Sequence, residues 1–204
     1  MKFKRFHVPI MGFTQLADGD TGVERLWKRL RDELPRGAGQ CVIEPKVWNE
    51  NFGRLAEFIH RNIEPDGVVN VYAYSWGVGH GARQLCQQLH KRGIQVPQLV
   101  ACDPVFHSYL RPWRGVFPAV WNGPIVFPQN VWHAQSFIQR QNTPQGTSLK
   151  LLNKLGVVDE PTLLNYNHQY IDDAIEFHDL AMHVAAKGAI RDVQKITSEP
   201  GTEK

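Results

Sequence analysis

Residues 68–81, which read VVNVYAYSWGVGHG, place the strongest constraint on the fold of this chain. A β-favouring run stops at Ser75, and a helical pattern follows over residues 82–90. A strand that turns directly into a helix crowds the backbone, so small residues are needed two positions before and two positions after the turn. Ala73 and Gly77 occupy those two positions. The segment therefore predicts a sharp strand–turn–helix that exposes a serine hydroxyl.

A serine on such a turn has two interpretations. Its hydroxyl would lie above the sheet, and the amide of Trp76 and the helix N-terminus would face any oxyanion that forms there. That is the geometry an acyl-transfer nucleophile needs. In the alternative interpretation, Ser75 only caps a turn between a strand and a helix, as serines often do.

Length and composition limit the class of protein. A chain of 204 residues suits one domain and can bury a full core without disulfides. The net charge of +3 gives no support for nucleic-acid binding. We expect no transmembrane segment, because no run of 18 apolar residues exists. The apolar stretch at residues 8–13 is also too short for the core of a signal peptide.

The cysteines and the acidic residues give no sign of a metal site or a disulfide. Cys41, Cys86 and Cys102 are scattered, without a C-x-x-C pair, and are predicted to be small apolar groups in strands and a helix. A reducing compartment, the cytoplasm, is therefore expected. No cluster of His, Asp and Glu has the spacing of metal ligands, so no metal or cofactor is expected.

Strands and helices alternate along the first half of the chain. The predicted strands are residues 6–11, 41–43, 68–74 and 96–102, and the predicted helices are residues 22–34, 51–63 and 82–92. This alternation predicts βαβ units and a parallel sheet. Ligands of such sheets bind beyond the carboxyl ends of the strands. The segment Gly12-Phe13-Thr14, Ser75 and Asp103 all fall at such ends.

The alternation breaks at residues 105–128, which contain four prolines and six aromatic residues. The segment is either a cover over the strand ends or a packed connection with structural aromatics. A strand at 131–137, an exposed loop at 139–146 and a helix at 170–187 are predicted after it. We expect one domain over residues 1–196 and a disordered tail at 197–204.

A serine nucleophile also needs a histidine to take its proton and a carboxylate to orient that histidine. Asp103 ends the strand that follows the one leading to Ser75, and His168 lies in a loop just before the last helix. Asp159 remains a rival acid and His107 a rival base. The chain order Ser, Asp, His is that of the α/β-hydrolases.

Three motifs carry a resemblance to a known family. They are AYSWG at residues 73–77, VACDPV at 100–105 and NHQYIDD at 167–173. With them the sequence resembles the lipase and thioesterase branches of the α/β-hydrolase superfamily, over residues 6–187 at the level of architecture. The resemblance implies a three-layer α/β sandwich with a mostly parallel sheet. It also matches Gly12-Phe13-Thr14 to the oxyanion loop of that superfamily.

Some positions depart from the family pattern. Ala73 replaces the usual first glycine of the turn, and the acid follows the strand next to it, as in only some members. Met11-Gly12 stands where a His-Gly pair is common. The superfamily's usual first two strands are missing from this sequence, so a minimal version of the fold is expected.

The resemblance and the motifs together predict a serine hydrolase that cleaves a carboxylic ester or thioester of a small-molecule or lipid-like substrate. The expected catalytic residues are Ser75 as nucleophile, His168 as base and Asp103 as acid. The expected oxyanion donors are the amides of Trp76 and of Phe13 or Thr14. The expected apolar wall for the acyl group comprises Trp76, Trp113, Phe117 and Trp121.

Two other function classes stay open at this point. The missing His-Gly pair and the missing strands are compatible with a hydrolase-fold binding or scaffold protein without turnover. A nucleotide-binding module would use the glycine-rich turn at residues 77–81. The glycine spacing there matches neither G-x-G-x-x-G nor a P-loop, which disfavours this third class.

Overall fold

A computed structural model of the chain describes residues 2–13, 15, 20–35, 39–106 and 123–187. Thr14, residues 107–122 and residues 188–204 lie outside the described residues, and so do the predicted wall residues Trp113, Phe117 and Trp121 and the predicted tail. In chain order the elements are β1 (Phe3–Ile10), α1 (Gly22–Glu33), β2 (Gln40–Val42), α2 (Phe52–Asn62), β3 (Ile63–Tyr74), a π-helical turn (Gly77–Ala82), α3 (Arg83–His90), β4 (Val96–Cys102), β5 (Ile125–Phe127), β6 (Val131–Ile138), β7 (Leu149–Leu151), β8 (Val157–Val158), β9 (Thr162–Leu163), a 3-10 turn (Ile171–Asp173) and α4 (Ile175–Lys187).

The strands build a parallel seven-stranded sheet in the order β2-β1-β3-β4-β6-β8, with β9 also paired to β6. The α/β fold class predicted from the sequence is confirmed. Because β3 and β4 are neighbours, the residues that follow them meet at one edge of the sheet. Strands β5 and β7 pair separately, and β5 buries Ile125 and Phe127 within the segment considered above as a cover.

The core lies on both faces of the sheet, which makes three layers. On β3, the side chains of Val69, Val71 and Ala73 contribute to the apolar cluster that includes residues of α2 and α3. The alternate residues Tyr72 and Tyr74 contribute to the cluster on the opposite face, with α1 and α4. A parallel strand buried on both faces needs a continuous apolar run, and residues 68–74 supply one around the single polar Asn70.

The first helix begins where the sequence provides a reciprocal cap. The Thr21 hydroxyl oxygen accepts a hydrogen bond from the Glu24 amide at 3.2 Å, and the Glu24 carboxylate accepts one from the Thr21 amide at 3.2 Å. This capping box fixes the start of α1. The helix then buries Val23, Leu26 and Leu30 against the sheet.

Three predicted segments differ in the structure. Strand β3 begins at Ile63 rather than at residue 68, because β1 is long enough for Phe3 to pair with Ile63. The predicted helix 170–187 is two elements, since Ala174 adopts an extended ψ of 129° between the 3-10 turn and α4. The predicted exposed loop 139–146 begins with Gln139, whose side chain is fully buried.

Candidate active site

Ser75 occupies a strained turn between β3 and the helical segment that starts at Trp76. Its φ of 53° lies in the left-handed region, which is uncommon for a residue other than glycine. Its carbonyl accepts hydrogen bonds from the amides of Val78 at 3.0 Å and Val105 at 3.2 Å. A Cβ at Gly77 would lie 2.6 Å from the carbonyl oxygen of Met11, which explains why a small residue is required there.

Asp103 directly follows β4, the neighbour of β3. It also has a positive φ, of 42°, and its side chain is fully buried. The backbone of the two strand ends is joined by a hydrogen bond of 2.9 Å from the Ser75 amide to the Cys102 carbonyl. Two adjacent strands therefore end in two residues of uncommon backbone conformation at one edge of the sheet.

His168 completes a chain of hydrogen bonds with these two residues. Its Nε2 lies 2.9 Å from Ser75 Oγ, and its Nδ1 lies 2.6 Å from Asp103 Oδ2. A carboxylate can only accept, so Nδ1 carries the proton and Nε2 is left to accept from the serine hydroxyl. Ser75 is 4% exposed and His168 is 8% exposed, so most of this hydrogen-bond chain is screened from water.

A parallel sheet, a serine on a strained strand-to-helix turn, and an acid and a histidine that follow it in that order are now all in place. The chain has a three-layer α/β fold with a parallel sheet, and Ser75 and Asp103 follow two neighbouring strands of that sheet.

Comparisons with known proteins find a likeness of structure. No protein-family model matches the sequence, and no match is found among curated proteins. A solved thioesterase domain, which cyclises the lipopeptide antibiotic surfactin, is similar over 98% of this chain and 94% of that domain. The sequence identity is 10% and the TM-score is 0.46.

The rival residues from the sequence lie elsewhere. The Asp159 carboxylate accepts a hydrogen bond of 2.8 Å from the side-chain amide of Gln135, and its other oxygen lies 3.0 Å from Nε2 of His133. Asp159 thus belongs to a separate polar group with two residues of β6, whereas Asp103 contacts His168. His107 lies outside the described residues.

The loop after β1 runs directly beside the serine. A Cβ at Gly12 would lie 3.1 Å from Ser75 Cβ and 2.9 Å from the ring of Tyr74. The amide of Gly12 donates to the side-chain oxygen of Gln15 at 3.2 Å. A residue larger than glycine cannot occupy this position without moving the loop. The backbone at Gly12 therefore lies directly beside Ser75.

Aromatic rings flank the serine on one side. The Phe13 ring is 4.6 Å from that of Trp76, which is 5.0 Å from that of Trp48. The His80 and Phe106 rings extend the group, with their centroids 5.0 Å apart. We call these five residues the aromatic surface. Trp48 was missed from the sequence, although it follows β2, whose carboxyl end lies at the edge of the sheet where ligands bind.

A buried carboxylate, that of Asp172, is linked to the loop after β1 by hydrogen bonds. Asp172 accepts hydrogen bonds from the Gln15 side-chain amide at 2.6 Å and from the Val23 amide at 3.2 Å. Gln15 in turn holds the amide of Gly12. Burial is the main cause that raises the pKa of Asp172 to about 6, and the hydrogen bond from Gln15 opposes that shift.

Two further features bear on the possible chemistry. Among the described residues, no group of three or more His, Cys, Asp or Glu side chains could hold a metal ion. In the same part of the chain, no helix is long and apolar enough to cross a membrane. The chemistry that the described site offers is proton transfer between a serine hydroxyl and a histidine held by a buried carboxylate.

Proposed function

We propose that this protein is a serine hydrolase of the α/β-hydrolase fold that cleaves a carboxylic ester or thioester through an acyl-enzyme on Ser75. The observation that carries the proposal is the hydrogen-bond chain from Ser75 Oγ to His168 Nε2 at 2.9 Å and from His168 Nδ1 to Asp103 Oδ2 at 2.6 Å. A fully buried aspartate next to a histidine that faces a serine is the arrangement that activates a hydroxyl for attack on a carbonyl carbon.

In the first half-reaction, Ser75 Oγ forms a bond to the acyl carbon while its proton moves to His168 Nε2. Asp103 holds the Nδ1 proton, which fixes the reactive tautomer and stabilises the imidazolium that forms. The amide of Trp76 and the amide of Phe13 or Thr14 stabilise the oxyanion. When the tetrahedral intermediate collapses, the bond to the leaving oxygen or sulfur breaks and His168 donates its proton to that atom.

In the second half-reaction, a water molecule takes the place of the leaving group. His168 accepts a proton from this water as the oxygen attacks the acyl carbon. The carboxylic acid then leaves and Ser75 Oγ recovers its proton. The reaction consumes one water and needs no redox or metal cofactor.

The aromatic surface favours an apolar acyl group. Phe13 is 55% exposed, and its ring lies against Trp76, the residue that directly follows the nucleophile. An acyl chain bound to Ser75 would bury apolar area against these rings, which stabilises the complex in proportion to the area removed from water. Trp113, Phe117 and Trp121, which lie outside the described residues, remain proposed as further residues of the apolar wall.

The proposed substrate is a small-molecule or lipid-like ester. The proposed compartment is the cytoplasm, because all three cysteines are free.

Hydrolysis assays test the proposal. Wild-type protein should hydrolyse a p-nitrophenyl ester or an acyl thioester, and Ser75→Ala should lose that activity while its circular dichroism is unchanged. Ser136→Ala is the matched control, because Ser136 is also a buried serine, within strand β6, but has no place in the hydrogen-bond chain. A wild-type protein without activity on either substrate class would favour a binding protein that keeps the fold without turnover.

A further inference from the structure

Gln139 is a fully buried polar side chain attached to the proposed acid. It follows β6 directly, and β6 is the neighbour of β4, which ends at Asp103. Its side-chain Nε2 donates to Asp103 Oδ2 at 3.0 Å, and its backbone amide donates to Asp103 Oδ1 at 3.3 Å. His168 Nδ1 donates to the same Oδ2. The glutamine and the histidine therefore share one carboxylate oxygen.

The surrounding hydrogen bonds fix which end of the Gln139 amide is nitrogen. The Oε1 atom accepts from the backbone amides of Gln141 at 2.7 Å and Asn142 at 3.0 Å. The Nε2 atom faces acceptors only, namely Asp103 Oδ2 and the carbonyls of Asn142 and Pro144. A flipped amide would place two donors against two backbone N–H groups, so the orientation is determined by the network.

The same loop also reaches the histidine. The side-chain oxygen of Asn142 accepts from the backbone amide of His168 at 2.7 Å. Asn142 is itself joined to Gln139 through both its amide and its carbonyl. The loop thus contacts both the acid and the base. The side chain of Gln139 binds the Asp103 carboxylate, and the side chain of Asn142 binds the backbone amide of His168.

We propose that Gln139 is a positioning residue that holds the Asp103 carboxylate in the orientation that faces His168. The inference rests on the proposed function, because it matters for catalysis only if Ser75 and His168 react. An isolated carboxylate removed from water is costly, and hydrogen bonds to its charged form compensate for the lost hydration. Gln139 supplies two such bonds from one residue, and a neutral donor does so without adding a competing charge.

The groups around Asp103 do not offer a substitute. His168 is needed for the proton transfer itself, and the Arg140 guanidinium donates to the carbonyls of Gln139 and Gly146. Tyr74 and Cys102 stay neutral, since burial raises the pKa of each, and Asp172 is a carboxylate of the same sign. Among these groups, only Gln139 can give Asp103 a further neutral donor.

The chain contains a matched control on the same strand. Gln135 on β6 donates its side-chain Nε2 to Asp159 Oδ2 at 2.8 Å, which is the same kind of glutamine–carboxylate pair. Asp159 has no hydrogen bond to His168. If losing a glutamine–carboxylate hydrogen bond lowers activity only by destabilising the fold, substitution of Gln135 should lower it as much as substitution of Gln139.

The test compares Gln139→Met and Gln139→Glu with Gln135→Met and Gln135→Glu, by kcat and KM across pH and by melting temperature. Gln139→Met should lower kcat by about 10- to 100-fold, the range for a hydrogen bond to a charged group, with little change in KM.

In Gln139→Glu, a protonated glutamate can replace the amide as donor. Its kcat relative to wild type should therefore fall as pH rises and the shared proton is lost. Both Gln135 variants should keep the wild-type pH profile.

The outcomes separate this inference from the proposed function. A wild-type enzyme whose Gln139 variants behave like the Gln135 variants would overturn the role of Gln139 and leave the serine hydrolase intact. A wild-type protein without activity would overturn both. If the Gln139 variants fail to fold, NMR of the wild type decides: the side-chain amide protons of Gln139 should shift with the same pH midpoint as the His168 ring. A flat response would contradict the proposal.

Discussion

The phenol of Tyr74 donates a hydrogen bond of 2.5 Å to the backbone carbonyl of His168, and the two rings lie 5.2 Å apart. Tyr74 is also the residue directly before Ser75. A single strand end therefore carries the serine and holds the loop of its histidine partner. Burial raises the pKa of Tyr74, so the phenol stays a donor across the working range of pH.

We predict that Tyr74→Phe lowers kcat roughly tenfold, because the His168 loop loses a hydrogen bond of about the energy that a tenfold change requires. Tyr72→Phe is the control. Tyr72 lies on the same strand, is fully buried and makes its own hydrogen bond to His7 at 2.9 Å, away from the serine. The two variants should lose similar stability in urea, but only Tyr74→Phe should lose activity. Equal activities would show that Tyr74 serves the fold alone.

Asp103→Asn and Asp159→Asn separate the two candidate acids. Asn at 103 can present an N–H where His168 needs an acceptor, so the ring is held in the wrong tautomer. The corresponding change in a serine protease lowers kcat by about four decades, and we expect a loss of that order here. Asp159→Asn should leave kcat near the wild-type value. The reverse pattern would move the acid to Asp159.

Gly12→Ala should damage the site more than the fold. The added methyl would lie 3.1 Å from Ser75 Cβ and 2.9 Å from the Tyr74 ring, so the oxyanion loop must move away from the serine. We expect kcat to fall by roughly a hundredfold, comparable to the loss of one oxyanion donor. Gly53→Ala is the control, because its methyl would meet only Asn51 Oδ1, at 3.3 Å. An unchanged kcat in Gly12→Ala would remove this loop from the oxyanion site.

The main strands and helices could be predicted from the sequence for identifiable reasons. The turn at Ser75 could be predicted because its backbone crowding requires small residues at fixed positions, and strand β4 at 96–102 was predicted to the residue. Chain order and a position before the last helix single out His168, and its Nε2 lies 2.9 Å from Ser75 Oγ in the structure. Its catalytic role remains a prediction.

The residues that support the site could not be found in the same way. Gln139 lies in the polar run QRQNTPQG, which is typical of an exposed loop, and its burial depends on β6 being the neighbour of β4. Trp48 contacts Trp76 only because β2 and β3 flank β1. Such contacts are set by the order of strands in the sheet, which local patterns along the chain do not contain.

Two buried groups should give opposite contributions to the pH dependence of stability. Burial raises the pKa of Asp172 from 3.8 to about 6, so between those values the folded protein holds a proton that the unfolded chain has lost. The free energy of unfolding falls as pH rises through that window. Burial lowers the pKa of His7 from 6.5 to about 4, so there the unfolded chain holds the extra proton and the free energy rises with pH.

Asp172→Asn should therefore expose the His7 contribution. Relative to wild type, the free energy of unfolding of this variant should increase with pH by roughly 3 kcal/mol over the window, since one pKa unit corresponds to about 1.4 kcal/mol. His7→Gln should show the opposite trend relative to wild type. Urea unfolding from about pH 4 to 6.5 measures both. Parallel curves for all three proteins would contradict the assigned pKa shifts.

The central claim is that Ser75 is a nucleophile activated by His168, and intact-protein mass spectrometry with a fluorophosphonate probe tests it most directly. Wild-type protein should gain one adduct, and peptide mapping should locate it on Ser75. Ser75→Ala should gain none, His168→Gln should react far more slowly, and Ser136→Ala should react like wild type. No adduct on folded wild-type protein, or an adduct that persists in Ser75→Ala, would contradict the account.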